Sequence, residues 1–338
     1  MPCTVVVCGF FGDTGKGKVI SYLALKDKIN VMARAGVGPN AGHTVVYGDK
    51  TYKVRMVPSG FVYDRCRLLV GPGVLVDPNV LLKEAEFLDV WDRLGVDPQC
   101  AIIESKHIDA DRKGYLASEI KTTGTGTGPC NVDRVLRTAK VARDMPELAK
   151  LLADVPMEIN NALDRGKNVL IEGTQGTFIS LWHGTYPYVT SKDVTSSAAC
   201  ADVGVGPTRV DEVVLVLKAF TTRVGAGPLP GEISWEEAEK RGWAERAAVT
   251  GRRRRAAPFS FELAKRAVML NGATEAALTK IDVVFPECKG AKSYGELSDE
   301  AKKFIASVEK EIGIPVTLLG TGPEVWEIVD RRSDYSKG

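Results

Sequence analysis

Between Gly12 and Lys18 the chain reads Gly-Asp-Thr-Gly-Lys-Gly-Lys, directly after the apolar run Thr4–Cys8. Closely spaced glycines let backbone N–H groups converge on an anion, and a helix beginning near Gly17 adds the positive end of its dipole. Gly12, Gly15 and Gly17 are therefore the candidate phosphate cradle, with Lys16 as its cation. The P-loop spacing is not met: Phe10 stands where the first glycine belongs, and Gly17 replaces the hydroxyl residue. That hydroxyl ordinarily holds Mg²⁺, so Asp13 is the candidate replacement oxygen ligand. Farther along, Thr279-Lys280-Ile281-Asp282 follows a short apolar run. A carboxylate at Asp282 accepts from both N1–H and N2–H₂ of guanine, a donor pair that adenine lacks, so the pattern points to GTP. The Lys280 stem can lie along the base plane, and Gly320-Thr321-Gly322-Pro323 can close over the same base.

A histidine at His43 sits among small residues, Gly38-Pro39-Asn40-Ala41-Gly42, that leave the backbone open to a ligand. Thr250-Gly251 leads into four consecutive arginines, Arg252 to Arg255. Planar guanidinium forks suit carboxylates and phosphates, and basic clusters are otherwise scarce, so a small dianionic substrate fits the run better than nucleic acid. Residues 122–129 and 172–177 are dense in glycine with hydroxyl or amide neighbours, as ligand loops or plain turns would be. On chemistry alone these residues describe a GTP-using enzyme that acts on small anions.

The elements that must carry these loops alternate between strand and helix. Strand-like runs are expected at Thr4–Cys8, Tyr52–Val57, Arg67–Gly71, Asn168–Ile171, Val213–Phe220, Ala276–Thr279 and, as the last strand, Val316–Leu319. Helical spacing covers Pro78–Leu94, and a second helix over Phe259–Leu270 is stopped by Asn271-Gly272. Ser298 caps a third that runs through Ile312. The alternation predicts an α/β fold: a doubly wound, mainly parallel sheet, P-loop-NTPase-like, as one domain over residues 1–338 with loop excursions. A hydrophobic share of 44% permits a sizeable core, and 45 Lys and Arg against 43 Asp and Glu argue against a general polyanion binder. No apolar run is long enough to span a membrane, and the start has no cationic leader pattern. Seven cysteines without a C-x-x-C pair read as free thiols in a reducing, cytoplasmic compartment. Three scattered histidines make a zinc site unexpected.

Taken in order, these segments resemble the adenylosuccinate synthetase family over nearly the whole chain, in its compact archaeal-like form. The matching stretches are 12–18, 40–44 (NAGHT), 122–129 and 172–177 (EGTQGT), then 183–191, 221–228, 250–255, 271–275, 279–282 and 320–323. The resemblance implies a ligase with GTP as cosubstrate and Mg²⁺ as cofactor. GTP phosphorylates the 6-oxygen of a purine nucleotide, and L-aspartate then displaces the phosphate. Asp13 would take the purine N1 proton and bind Mg²⁺, with the Gly42 carbonyl as a second metal ligand. His43 would donate to the moving phosphate, beside Lys16 as the third catalytic group. Gly12, Gly15, Lys16, Gly17, Lys18 and Arg254 would hold GTP phosphates, with Lys280, Asp282, Gly322 and Pro323 at guanine. Asn40, Ala41, Thr123, Gln175, Thr190 and Arg252 would hold the acceptor nucleotide. Thr250, Gly251, Arg252 and Arg254 would meet L-aspartate. Arg137 would reach the acceptor from a partner subunit, which implies a homodimer; neither nucleic acid nor membrane is expected as a partner.

Several positions depart from the family pattern. Its Gln-Trp before the loop is Phe10-Phe11 here, its Glu is Thr14, and its aromatic-x-Asp segment is replaced by Phe259-Ser260-Phe261 within 256–261. A viral branch that makes 2-aminoadenylosuccinate from dGMP shares the phenylalanine, the threonine and the F-S-F stretch. It commonly loses the catalytic Asp and the TKxD motif, both kept here as Asp13 and Asp282. Thr14 and Ser260 tip the expectation narrowly toward dGMP as acceptor, and so toward a host cytoplasm if the source is viral. IMP is the close alternative, and a GTP-binding regulatory module without ligase activity is a remote one.

Overall fold

A computed structural model describes residues 3–247 and 251–335. We number the nine strands of its central sheet in chain order: β1 (Cys3–Cys8), β2 (Val31–Arg34), β3 (Arg67–Val70), β4 (Leu94–Val96), β5 (Val169–Glu172), β6 (Glu212–Lys218), β7 (Glu275–Thr279), β8 (Val316–Gly320) and β9 (Ile328–Asp330). Across the sheet they run β9-β8-β7-β6-β1-β5-β2-β3-β4. Every neighbouring pair is parallel except β8 with β9. Strands β2 to β5 lie on one side of β1 and β6 to β9 on the other. The loop leaving β1 therefore opens where the strand order reverses, the place at which open α/β sheets bind ligands.

Both faces of the sheet are covered. Alternate residues of β1 point opposite ways, so Cys3, Val5 and Val7 enter one core and Val6 the other. Helices Val155–Asp164, Ser196–Val203, Phe261–Asn271 and Asp299–Ile312 pack on the first face. Helices Lys16–Lys26 and Pro78–Leu88 pack on the second. All seven cysteines are buried and free.

The expected elements are present, with shifted ends. The helix from Pro78 stops at Leu88 because Asp89 turns left-handed (φ 51°), and residues 91–93 form a separate short turn. The strand expected over Tyr52–Val57 ends at Val54, since the Glu84 carboxylate takes the N–H groups of Arg55, Met56 and Val57. The run Val213–Phe220 divides at Ala219: β6 stays in the central sheet, while Phe220–Arg223 pairs antiparallel with Arg253–Pro258. Val316–Gly320 is not the last strand, as β9 returns beside it. The helix expected from Phe259 begins at Phe261, with Ser260 Oγ accepting from Leu263 N–H at 3.3 Å.

Candidate active site

A cleft of about 980 Å³ lies at the C-terminal ends of β1, β6 and β7. It is lined by residues 11–18, 40–44, Thr122, Thr123, Gln175, 186–191, 223–226, 245–247, Arg252, Arg254, Lys280, Gly322 and Pro323. Ligand loops that lie far apart in sequence thus converge on one space.

In the phosphate loop Gly12, Asp13 and Gly15 all adopt positive φ, at 93°, 55° and 82°. Gly15 begins the helix Lys16–Lys26 without any side-chain cap, which leaves the first backbone N–H groups free for an anion. Lys16 is buried and donates to the Gln175 carbonyl at 2.7 Å, so its ammonium is held beside those groups. Lys18 is placed differently. It donates to the carbonyls of Gly322 and Glu327, the latter at 2.6 Å, pinning the base-side loop to the start of the helix. Burial pushes its pKa down to about 8 against the pull of Asp282 and Glu327.

His43 begins the hairpin strand His43–Tyr47 and is almost fully buried. Its Nδ1 lies 2.5 Å from Glu172 Oε1 and 3.1 Å from Ser59 Oγ, while its Nε2 is buried with no partner. Glu172, at the end of β5, also accepts from Arg34 Nη1 at 2.8 Å and from Ser59 N–H at 2.6 Å. Burial acts to raise the Glu172 pKa, but His43 and then Arg34 outweigh it and keep the carboxylate ionised. Nδ1 of His43 therefore carries the hydrogen it donates. Burial holds the imidazole pKa down to about 4 even beside Glu172, so at neutral pH Nε2 presents a lone pair.

Asp13 Oδ1 meets Arg254 Nη2 at 2.9 Å, and Arg254 Nη1 donates to Glu245 Oε2 at 2.6 Å. Period-two alternation in the strand Arg253–Pro258 explains which arginines serve the cleft. Arg254 faces inward, whereas Arg253 stacks on the Trp235 ring and Arg255 pairs with Glu232. Arg252 also lines the cleft and donates to the Lys121 carbonyl at 2.8 Å. Gly251 is exposed at the rim, and Thr250 falls outside the described residues.

At the base end, Asp282 Oδ1 is buried without a partner just beyond the cleft lining. Burial raises its pKa, with Lys280 and Lys18 acting against the shift. A Cβ at Gly322 would meet the Glu327 carboxylate, the end of a flexible side chain that would have to swing aside. On the other side, Gln175 Nε2 donates to Asn40 Oδ1 at 2.8 Å and Asn40 Nδ2 to Thr190 Oγ1 at 3.3 Å. Thr123 pairs with Thr125 at 3.0 Å, and Ala41 and Gly42 complete that wall. Arg137 lies outside its own chain's cleft, exposed just past the helix Thr127–Leu136.

Sequence reasoning did not single out Arg34, Ser59, Glu172, Lys218 or Glu245. The run 172–177 stands out for its glycines, and Glu172 at its head is the available signal. The departures that favoured dGMP also look different in three dimensions. Phe10 packs edge-on against Phe259 (centroids 5.5 Å apart), and Phe259 against Phe261 at 5.1 Å, while Ser260 is a helix cap. None of these four lines the cleft. Thr14 does, but it is buried, and its carbonyl accepts from Thr279 Oγ1 at 2.7 Å.

The comparisons agree with this geometry. A family model described as adenylosuccinate synthetase matches residues 5–147 and 139–288. The adenylosuccinate synthetase of Methanocaldococcus jannaschii is 58% identical, covering 99% of this chain and 98% of its own. That of Archaeoglobus fulgidus is 56% identical over 99% of both. Two solved structures share the fold. The Plasmodium falciparum adenylosuccinate synthetase, fully ligated, superposes with a TM-score of 0.88 at 23% identity over 97% of this chain and 99% of its own. Succinoaminodeoxyadenylate synthetase of cyanophage S-2L, bound to dGMP and dATP, gives 0.83 at 28% identity over 98% and 95%. With these matches running through nearly every residue that builds the cleft, the chain belongs to the adenylosuccinate synthetase family, ligases that form a C–N bond between aspartate and a purine nucleotide.

Proposed function

We propose that this enzyme ligates L-aspartate to C6 of IMP with GTP as phosphoryl donor, giving adenylosuccinate, GDP and phosphate. The relatives more than half identical are adenylosuccinate synthetases, whereas the dGMP-bound cyanophage enzyme stands at 28%. The expectation of dGMP gives way to IMP on that difference; of the departures behind it, Phe10, Phe259, Ser260 and Phe261 lie outside the cleft lining, while Phe11 and Thr14 are part of it.

The observation that carries the mechanism is that His43 Nε2 in the cleft and Asp282 Oδ1 just beyond its lining are both buried without a partner, as are Thr14 Oγ1, Ser191 Oγ and Arg254 Nε in the lining. Asp282 accepts from guanine, and the uncapped helix start with Lys16 receives the phosphates. Asp13 removes the N1 proton of the purine, which makes the 6-oxygen nucleophilic. An arriving phosphoryl group brings negative charge to Nε2, where a proton drawn from solvent makes His43 a donor to it, while Glu172 holds Nδ1–H. This is electrostatic positioning of a group whose charge spreads as it moves. Asn40, Gln175 and Thr190 hold the acceptor, and Arg252 and Arg254 the aspartate.

The residues fit a magnesium ion. Asp13 offers one carboxylate and Gly42 a carbonyl in the lining of the same cleft, and Mg²⁺ is held by one or two carboxylates together with substrate phosphates. No group of three or more His, Cys, Asp or Glu forms a metal site among the described residues, so phosphates and water would complete the shell. When bound, the ion would neutralise charge on the phosphates.

A homodimer completes the proposal. Arg137 is turned from its own cleft, and Val132, Val135 and Leu136 beside it are exposed at 57%, 67% and 63%, an apolar face for a second copy. The test is product formation by purified protein with GTP, Mg²⁺ and L-aspartate, offering IMP or dGMP. Succinylated product from dGMP but not from IMP would overturn the assignment.

A further inference from the structure

Glu245 meets cations from three separate elements. Its Oε2 accepts from Arg254 Nη1 at 2.6 Å and Lys218 Nζ at 2.8 Å, and Lys280 Nζ lies 3.4 Å from Oε1. Arg254 comes from the strand Arg253–Pro258, Lys218 from the end of β6, and Lys280 from the turn after β7. Lys218 is the unusual member. It is almost fully buried, donates also to Thr222 Oγ1 at 2.7 Å, and lies over the Phe220 ring at 4.4 Å. It does not line the cleft, so it is not placed to meet a substrate. A buried ammonium is costly without an anion, and Glu245 is the carboxylate it has. Burial acts to raise the Glu245 pKa, but Lys218, then Lys280 and Arg254, hold it well below the usual range.

We propose that Glu245 is a positioning residue that sets Arg254 and Lys280 relative to Asp13 across the cleft, with Lys218 as its buried anchor. The inference rests on the ligase reading above, in which Arg254 meets L-aspartate and Lys280 flanks guanine. Arg254 is shared between two carboxylates, Glu245 and Asp13. Glu245 keeps one edge of the guanidinium engaged, so Arg254 can release Asp13 to the metal and the purine without losing its place. Without Glu245, Asp13 is the anion left to Arg254, and the two groups mask each other. Lys280 loses its tether at the same time.

The test is Glu245→Gln, with steady-state kinetics in all three substrates. The expected split is a rise of about tenfold in KM for L-aspartate and about threefold for GTP, with IMP within about twofold. Glu245→Asp, which keeps the charge, recovers part of the aspartate affinity. Lys218→Met reproduces the split although its side chain touches no substrate. Should either single variant fail to fold, the double variant removes both buried charges, and it is expected to fold and to show the same split. Three KM values that stay put, or rise together with a fall in Tm, would overturn the positioning role. Wild-type protein is assayed alongside. Absence of aspartate-dependent phosphate release from it overturns the ligase reading itself, whereas an active wild type with an unsplit variant overturns only this inference.

Discussion

A Cβ atom on Gly17 would stand 2.9 Å from the Cβ of His43 and 3.1 Å from the Thr44 carbonyl. The helix after the phosphate loop and the hairpin that carries His43 are packed too closely for any side chain at this point. The missing P-loop hydroxyl is therefore a steric consequence of packing the His43 hairpin against this helix. Gly17→Ser, which restores the P-loop residue, is expected to lower rather than improve turnover, and to cost about 1–3 kcal/mol of stability through overpacking. Thermal unfolding and kcat measured together check this; a serine variant as stable and active as wild type would refute the packing argument.

On the proposed mechanism, in which Nε2 acts on the moving phosphate, His43→Ala is expected to reduce kcat far more than it weakens nucleotide binding. Full activity in that variant would remove His43 from the mechanism. The same residue sets a pH dependence. Its folded pKa of about 4 lies below the ordinary histidine value, so the unfolded chain binds more protons in between. Stability is fully present above about pH 6.5 and is lost as pH falls toward 4, by up to about 3 kcal/mol from this group. Denaturant unfolding of wild type and His43→Gln across that window reads the difference, and parallel curves would exclude the contribution.

Glu172→Gln should destabilise the protein by about 3–5 kcal/mol, since it leaves Arg34 charged and buried without its anion. Turnover should fall with it as Nδ1 exchanges a carboxylate acceptor for a neutral amide. Unfolding midpoints and kcat test both parts, and a neutral effect on stability would mean that the arginine finds another partner.

That network also marks how far the sequence could be read. Arg34, Ser59 and Glu172 are separated by up to 138 positions and meet only because β2 and β5 are neighbours, which spacing cannot show. Glu84 ends a strand thirty positions away by taking its N–H groups, equally unseen from local pattern. By contrast Gly12 to Lys18, the arginine run and the TKID turn were legible, because their chemistry is contiguous. The F-S-F stretch misled for the opposite reason. Its residues are contiguous and unusual, yet Phe259 and Phe261 pack against the core and Ser260 caps a helix, so packing and capping rather than substrate decide residue type there.

Asp282→Asn should raise KM for GTP by about tenfold or more while leaving that for IMP much less changed, since an amide cannot accept from both guanine donors. Equal losses for the two nucleotides would remove Asp282 from base recognition.

For the dimer, mixing inactive Arg137→Ala with inactive Asp13→Ala is the sharpest check. If Arg137 serves the partner's cleft, one of the two sites in each mixed dimer is intact, and about a quarter of wild-type activity should return after subunit exchange. No recovery after exchange has been verified would place Arg137 outside the partner's site.

Lys18 gives the cleft one further property. By joining the first turn of the helix to the carbonyls of Gly322 and Glu327, it fixes the span between the phosphate end and the base end before any nucleotide arrives. The enzyme thus presents a ruler of set length. A guanosine triphosphate meets both ends at once, whereas a ligand of different reach can satisfy one end only by forfeiting the other. On the proposed reading, selection by length would then accompany selection by base.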